Sequence, residues 1–174
     1  MLATLFKVFF DICLLRRKPQ ELPGSVELLT VSAVAYLLIS SILMLVSASP
    51  GQALVSSLFE LVLVALITFV ILQLNHHPER LLQTLTAIFG TGCIISLLAL
   101  PLVYSGLLSQ PGSLLQAAAV LFYLALLFWN IVVMGHILRH ALATTLGFGI
   151  VFAIIYIVII STLISVLLPL LEMQ

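Results

Sequence analysis

From Val26 to Leu168 the chain is a succession of apolar stretches, and within it only Glu27, Glu60, Glu79, Arg80 and Arg139 carry charge. Five runs stand out, at about Val26–Ala48, Ala53–Leu74, Leu82–Tyr104, Leu114–Leu138 and Leu142–Leu168. Each has about the 20 residues that a helix needs to cross roughly 30 Å of hydrocarbon. Lipid offers no partner to a free N–H or C=O, so each run must bond its backbone to itself, as a helix does. The composition agrees: only 7% of the residues are charged, 63% are hydrophobic, and the mean hydropathy is +1.37. A soluble domain has roughly 25% charged residues. The expected fold class is therefore all-α: a polytopic membrane protein with a bundle of about five transmembrane helices.

The breaks between runs carry turn residues. Ser49–Pro50–Gly51 separates the first two, Asn75 to Arg80 the next pair, and Ser105 to Ser113, with Gly106, Pro111 and Gly112, the third and fourth. Proline lacks the helical donor, and glycine relaxes the backbone. Between the fourth and fifth runs only Arg139–His140 interrupts, which leaves a four-span chain with an interfacial last helix as the rival. All six basic residues, Lys7, Arg16, Arg17, Lys18, Arg80 and Arg139, fall on one side of such a five-span layout. By the positive-inside rule that side is cytoplasmic, which puts the N-terminus inside and the C-terminus outside. Zero net charge argues against a nucleic-acid partner.

Residues 1–25 read as a separate unit from the transmembrane domain 26–174. In MLATLFKVFFDICLLRRK the polar residues Thr4, Lys7, Asp11 and Lys18 recur near one helical face, and Leu2, Leu5, Phe6, Phe9, Phe10, Cys13 and Leu14 cover the rest. That pattern suits an amphipathic helix lying in the membrane interface, with Lys7, Arg16, Arg17 and Lys18 on anionic headgroups. The competing reading is an extension of the first span packed on the bundle. A cleaved secretory signal is not expected, because the basic cluster follows the apolar stretch instead of preceding it.

Chemistry has few places to sit. Glu60, in SSLFELVLV, is an acid with no basic residue in any span. A charge near the bilayer centre costs on the order of 3 kcal/mol on insertion scales, so the uncharged acid is the cheaper form and should face other helices. Its possible partners are Ser56, Ser57, Tyr36, Ser40, Ser41, Thr91, Asn130 and Tyr156. Glu60 acts either as a hydrogen-bonding staple between helices or as a proton- or ion-binding group. Gly90–Thr91–Gly92–Cys93 in the third span reads first as a close helix-packing surface, and second as the site of a broken, substrate-binding helix. Cys93 is expected to be an inert buried thiol, and Asn130 a buried amide in need of partners. His136 and His140 share a helical face, with His76 and His77 in the loop at the same end. Four imidazoles at one end are a candidate metal site, but no acid or cysteine joins them at a recognised spacing. No HExxH, GxSxG, Walker or GxGxxG pattern is present, so no catalytic residue and no cofactor are expected.

The short amphipathic N-terminus, the linker RRKPQELPGS and five tightly spaced spans resemble the Yip family of small membrane proteins in its bacterial form. FWNIVVMGHILRHAL is similar to the end of a late span in that family. The resemblance implies a bacterial inner-membrane protein. The long cytosolic N-terminus and DLYGP-like motif of the eukaryotic members are absent, so Rab-GTPase binding is not carried over, and no family site residues map here. The expected function is non-enzymatic: organising, scaffolding or assembly through helix packing with lipid, other membrane proteins or further copies of the chain. The first alternative is a small transporter or channel subunit using Glu60 and the third span. The second is a metal or redox accessory subunit using the histidines. A polar cavity at Glu60 would favour transport, and a dry packed centre the scaffold.

Overall fold

The computed structural model describes residues 2–110 and 112–172, without the side chains of residues 2–4, 107 and 167–172. The side chains of Leu2 and Thr4, assigned above to the two faces of the first helix, lie outside the described residues, as does Pro111. Among the described residues there are six α-helices and no strand: α1 Leu2–Cys13, α2 Val26–Met44, α3 Pro50–Leu74, α4 Leu81–Leu108, α5 Leu114–Ala141 and α6 Leu146–Glu172. Helices α2 to α6 are long and apolar enough to cross a membrane.

The starts of α2, α3 and α5 are fixed by local chemistry. Ser25, Ser49 and Ser113 each accept a backbone N–H of the first turn. Ser49 also forms a capping box with Gln52, and Pro50 fills the first helical position. Accordingly α3 starts three residues before the expected Ala53, and α2 stops at Met44. The boundary between α5 and α6 also differs from expectation. Arg139 and His140 belong to the last turn of α5, and the chain reverses at residues 142–145. Ala143 sits there at φ 54, Thr144 N–H donates to the Arg139 carbonyl, and α6 begins at Leu146. α4 is continuous through Gly90 and Gly92, so these glycines do not break the third span.

α4 is the hub. It packs on α1, α2, α3 and α5. Half of its apolar window is buried inside the protein, against 11–28% for the other spans. The bundle interior mixes an apolar core with buried hydroxyls, and its outside is apolar. Its buried polar side chains are Ser32, Ser40, Ser56, Ser57, Thr68, Thr84, Thr86, Thr91 and His136, while Val31, Val34, Leu38 and Ile42 of α2 and Val55, Leu58, Val62 and Leu66 of α3 point outward. Small hydroxyl residues let helices approach closely, and lipid covers the outward stripes at no cost. The tightest approach is between α5 and α6. A methyl group on Gly149 would strike the Gly135 carbonyl oxygen, and one on Gly135 would come within 2.9 Å of the Ile150 Cα.

The first segment packs on the bundle through one face and is not continuous with the first span. Phe9, Ile12 and Cys13 are buried, while Phe6, Lys7 and Phe10 are exposed. The Phe9 ring lies on Gly90, where a methyl group would collide with it. Gly90 is nine residues into α4, about 13 Å from its start. At that depth the last carbonyls of α1 need protein donors, and Trp129 Nε1–H supplies one to the Cys13 carbonyl at 2.9 Å. Leu15, at φ 61, then turns the chain back. The returning segment, residues 15–25, is tied down by His136 Nε2 on the Arg17 carbonyl (2.8 Å), Gln20 Nε2 donating to the His140 carbonyl (2.7 Å), and Gln83 Nε2 donating to the Leu22 carbonyl (3.0 Å).

Candidate functional site

The buried stripe of α3 runs through Ala53, Ser56, Ser57, Val64, Thr68 and Leu72. Glu60 falls on this stripe at helical spacing, which turns its carboxyl group into the bundle. Tyr36 Oη of α2 donates to Glu60 Oε1 at 2.9 Å. The Tyr36 ring is itself wedged: it tilts on Phe89 with centroids 5.5 Å apart, and its Cε2 comes within 2.8 Å of where a Gly92 Cβ would sit. A side chain larger than glycine at 92 would displace the phenol from the acid.

Beside this pair lies a cavity of about 230 Å³. All five spans line it, through Tyr36, Glu60, Thr91 with Ser96, Asn130, and Tyr156 with Ser161. Tyr156 is fixed by two bonds. Its Oη donates to the Val64 carbonyl at 3.0 Å, which uses its one proton, so Thr68 Oγ1 at 3.0 Å is the donor to Tyr156. Thr91 Oγ1 donates to the Ala87 carbonyl at 2.7 Å. Among the described residues the Asn130 amide has no protein partner, and Glu60 has only Tyr36, through one of its two oxygens. The groups left open at this cavity include an amide and a carboxyl oxygen, among the bonded hydroxyls of Tyr36, Thr91, Tyr156 and Ser161.

Of the eight partners that the sequence offers Glu60, four line this cavity: Tyr36, Thr91, Asn130 and Tyr156. The others are used elsewhere. Ser40 and Ser41 back-bond to the Leu37 carbonyl, Ser57 lies 3.9 Å from the Met44 sulfur, and Ser56 is buried on α3. Thr68, Ser96 and Ser161 were not singled out from the sequence. In isolation each is one hydroxyl residue among many in the spans, and only the packing selects them.

The histidines do not converge. His136 and His140 stack edge to face with ring centroids 4.8 Å apart, and His136 is spent on the Arg17 carbonyl. His77 is next to Glu79 at 3.4 Å, and His76 is exposed at φ 58. Among the described residues no group of three His, Cys, Asp or Glu side chains is placed to hold a metal ion. Of the two cysteines, Cys13 is the buried one, and Cys93 is half-buried, against the expectation of a buried thiol. Burial among apolar neighbours pushes the Cys13 thiol up to about 12.

The four cations assigned to headgroups are exposed, Lys7 on α1 and Arg16, Arg17 and Lys18 on the returning segment. Arg17 reaches back to Asp11 at 3.5 Å and to Glu21 at 4.0 Å. The fold defines a five-span helical membrane protein, and comparison with family models, with curated proteins and with solved structures finds no match.

Proposed function

We propose that this protein is a small membrane transport or channel subunit in which Glu60 takes up and releases a proton or small cation within the central cavity. The observation that carries this reading is the Glu60 carboxyl, bonded through one oxygen only, on a cavity that every span lines and whose mostly apolar wall also presents Thr91, Asn130 and Ser161. An intramembrane acid with a free oxygen and an unpartnered amide beside it is costly unless something visits it. The site needs no catalytic group, and the reading is non-enzymatic. The distribution of Lys and Arg supports a cytoplasmic N-terminus, which reporter fusions at Ser47 (active outside) and His76 (active inside) would test.

A scaffold stapled through Glu60 is the second reading, and the Tyr36–Glu60 bond between α2 and α3 favours it. The Yip-family resemblance is compatible with either and adds no substrate. The two readings separate on Glu60→Gln in liposomes loaded in turn with a pH-, sodium- or potassium-sensitive dye. Under the transport reading the wild type dissipates an imposed proton, sodium or potassium gradient faster than empty liposomes, and Glu60→Gln is folded but inactive, since an amide exchanges no proton. No flux above empty liposomes for any of the three ions, or full flux from Glu60→Gln, would overturn it. A staple predicts instead that Gln is tolerated and that Glu60→Leu loses roughly 0.5–2 kcal/mol of stability.

A further inference from the structure

A second pocket, remote from Glu60 and independent of it, opens at the basic end of the bundle. It measures about 360 Å³ and is lined by Lys18, Gln20, Arg80, Arg139, His140 and Thr144. Three of the six cations of the chain thus meet from three places: the returning segment, the turn before α4, and the last turn of α5. The arrangement is held in place. Arg80 Nη1 donates to the carbonyls of His140 and Ala141, both at 3.0 Å, and Gln20 clamps the His140 carbonyl as well. Neutralisation is incomplete. Arg80 has exposed Glu79 at 3.6 Å and Glu21 Oε1 accepts the Lys18 backbone N–H at 3.1 Å, but among the described residues no carboxylate lies within 4.0 Å of the Lys18 ammonium or the Arg139 guanidinium.

Like charges gathered beside a low-dielectric slab repel unless an anion joins them. The donors left over are the Nη groups of Arg139, whose Nε is spent on His140 Nε2 at 3.3 Å, Nη2 of Arg80, an ammonium group and a threonine hydroxyl, a set suited to the oxygens of a phosphate group. The height of the pocket is informative too. α5 has 28 residues, so it is about 42 Å long, roughly 12 Å more than the hydrocarbon core. Its last turn, which carries Arg139 and His140, accordingly reaches the headgroup layer. We infer that this pocket binds the phosphate group of one anionic phospholipid, with Lys18 and Arg139 as its principal ligands and Arg80 as the fixed third cation.

The chain has only two lysines, Lys7 and Lys18, and both are exposed, so the wild-type protein contains its own control. The full chain in uncharged detergent is treated with an amine acylating reagent, and each lysine is followed by mass spectrometry. Phosphatidylglycerol should slow acylation of Lys18 about tenfold and leave Lys7 unchanged, while phosphatidylcholine does neither. Protection by glycerol 3-phosphate or inorganic phosphate at equal concentration would assign the site to a soluble phosphate and overturn the lipid. No selective protection of Lys18 by any of them would overturn the site. Independently, native mass spectrometry should show one retained phosphatidylglycerol, lost about tenfold or more in Lys18→Gln/Arg139→Gln, since each basic residue at an anionic surface is worth about a fivefold change. Lys7→Gln/Arg16→Gln removes the same charge away from the pocket, and equal weakening by both pairs would reduce the effect to diffuse attraction and refute the proposal.

Discussion

Replacing Gly149 by alanine adds one methyl group at the closest approach of α5 and α6, and its cost can be worked from the geometry. The new Cβ would meet the Gly135 carbonyl oxygen, a backbone atom that cannot rotate away, with Arg139 Cβ one turn along the same helix at 2.9 Å. Restoring ordinary contact requires α6 to retreat by about 1 Å. Overpacking of this kind costs about 1–3 kcal/mol. Gly147 supplies the control: it lies two residues away on the same helix, and a methyl group there meets nothing within 4 Å. Both substitutions gain the same helix propensity, up to about 1 kcal/mol, so it cancels in the comparison. At roughly 2–4 °C per kcal/mol for a chain of this size, Gly149→Ala should melt about 2–12 °C below Gly147→Ala in the same detergent. Equal melting temperatures would show that the seam is looser than described and would refute the reasoning.

Other outcomes follow from the same packing. Gly90→Leu should destabilise by about 1–3 kcal/mol by driving Phe9 out of its seat, and Phe9→Ala in the same chain should recover part of the loss; the assay is thermal unfolding of the double variant against each single one. Trp129→Phe removes the donor to the Cys13 carbonyl and should raise amide hydrogen exchange across α1 while α2 to α6 keep their protection. The Cys13 thiol, at about 12, carries almost no thiolate at pH 8, so a maleimide should leave Cys13 untouched in the folded protein and modify it once denaturant exposes it.

The spans were legible because lipid imposes a length and a composition that a sequence displays directly. The interior was less so. The inward faces of α2 and α3 mix serine, threonine and one acid with apolar residues such as Leu28, Val64 and Leu72, while the outward faces are apolar too, so apolar periodicity does not tell which side faces in. The position of Glu60 amid apolar neighbours made it a candidate, but choosing Tyr36 over Ser40 or Ser57 depended on a ring wedged against Gly92, a relation between residues 56 apart in the chain. The α5–α6 turn was misplaced because the residue in left-handed geometry is Ala143, not glycine or asparagine, and alanine carries no such signal. The pocket at the basic end could be anticipated only as six cations on one side; that three of them share a concavity depends on how the returning segment is clamped.

That segment also sets an order of events. Cys13 waits for Trp129, 116 residues later, and Arg17 waits for His136, 119 residues later. At about 5–20 residues per second the ribosome needs roughly 6–23 s to make the partner once the first segment has emerged. Phe9 can find its seat on Gly90 once α4 has followed, but the Cys13 and Arg17 carbonyls stay without their partners until most of α5 has been made. The opening residues are therefore among the first to be synthesised, yet their contacts are completed only after more than two thirds of the chain exists.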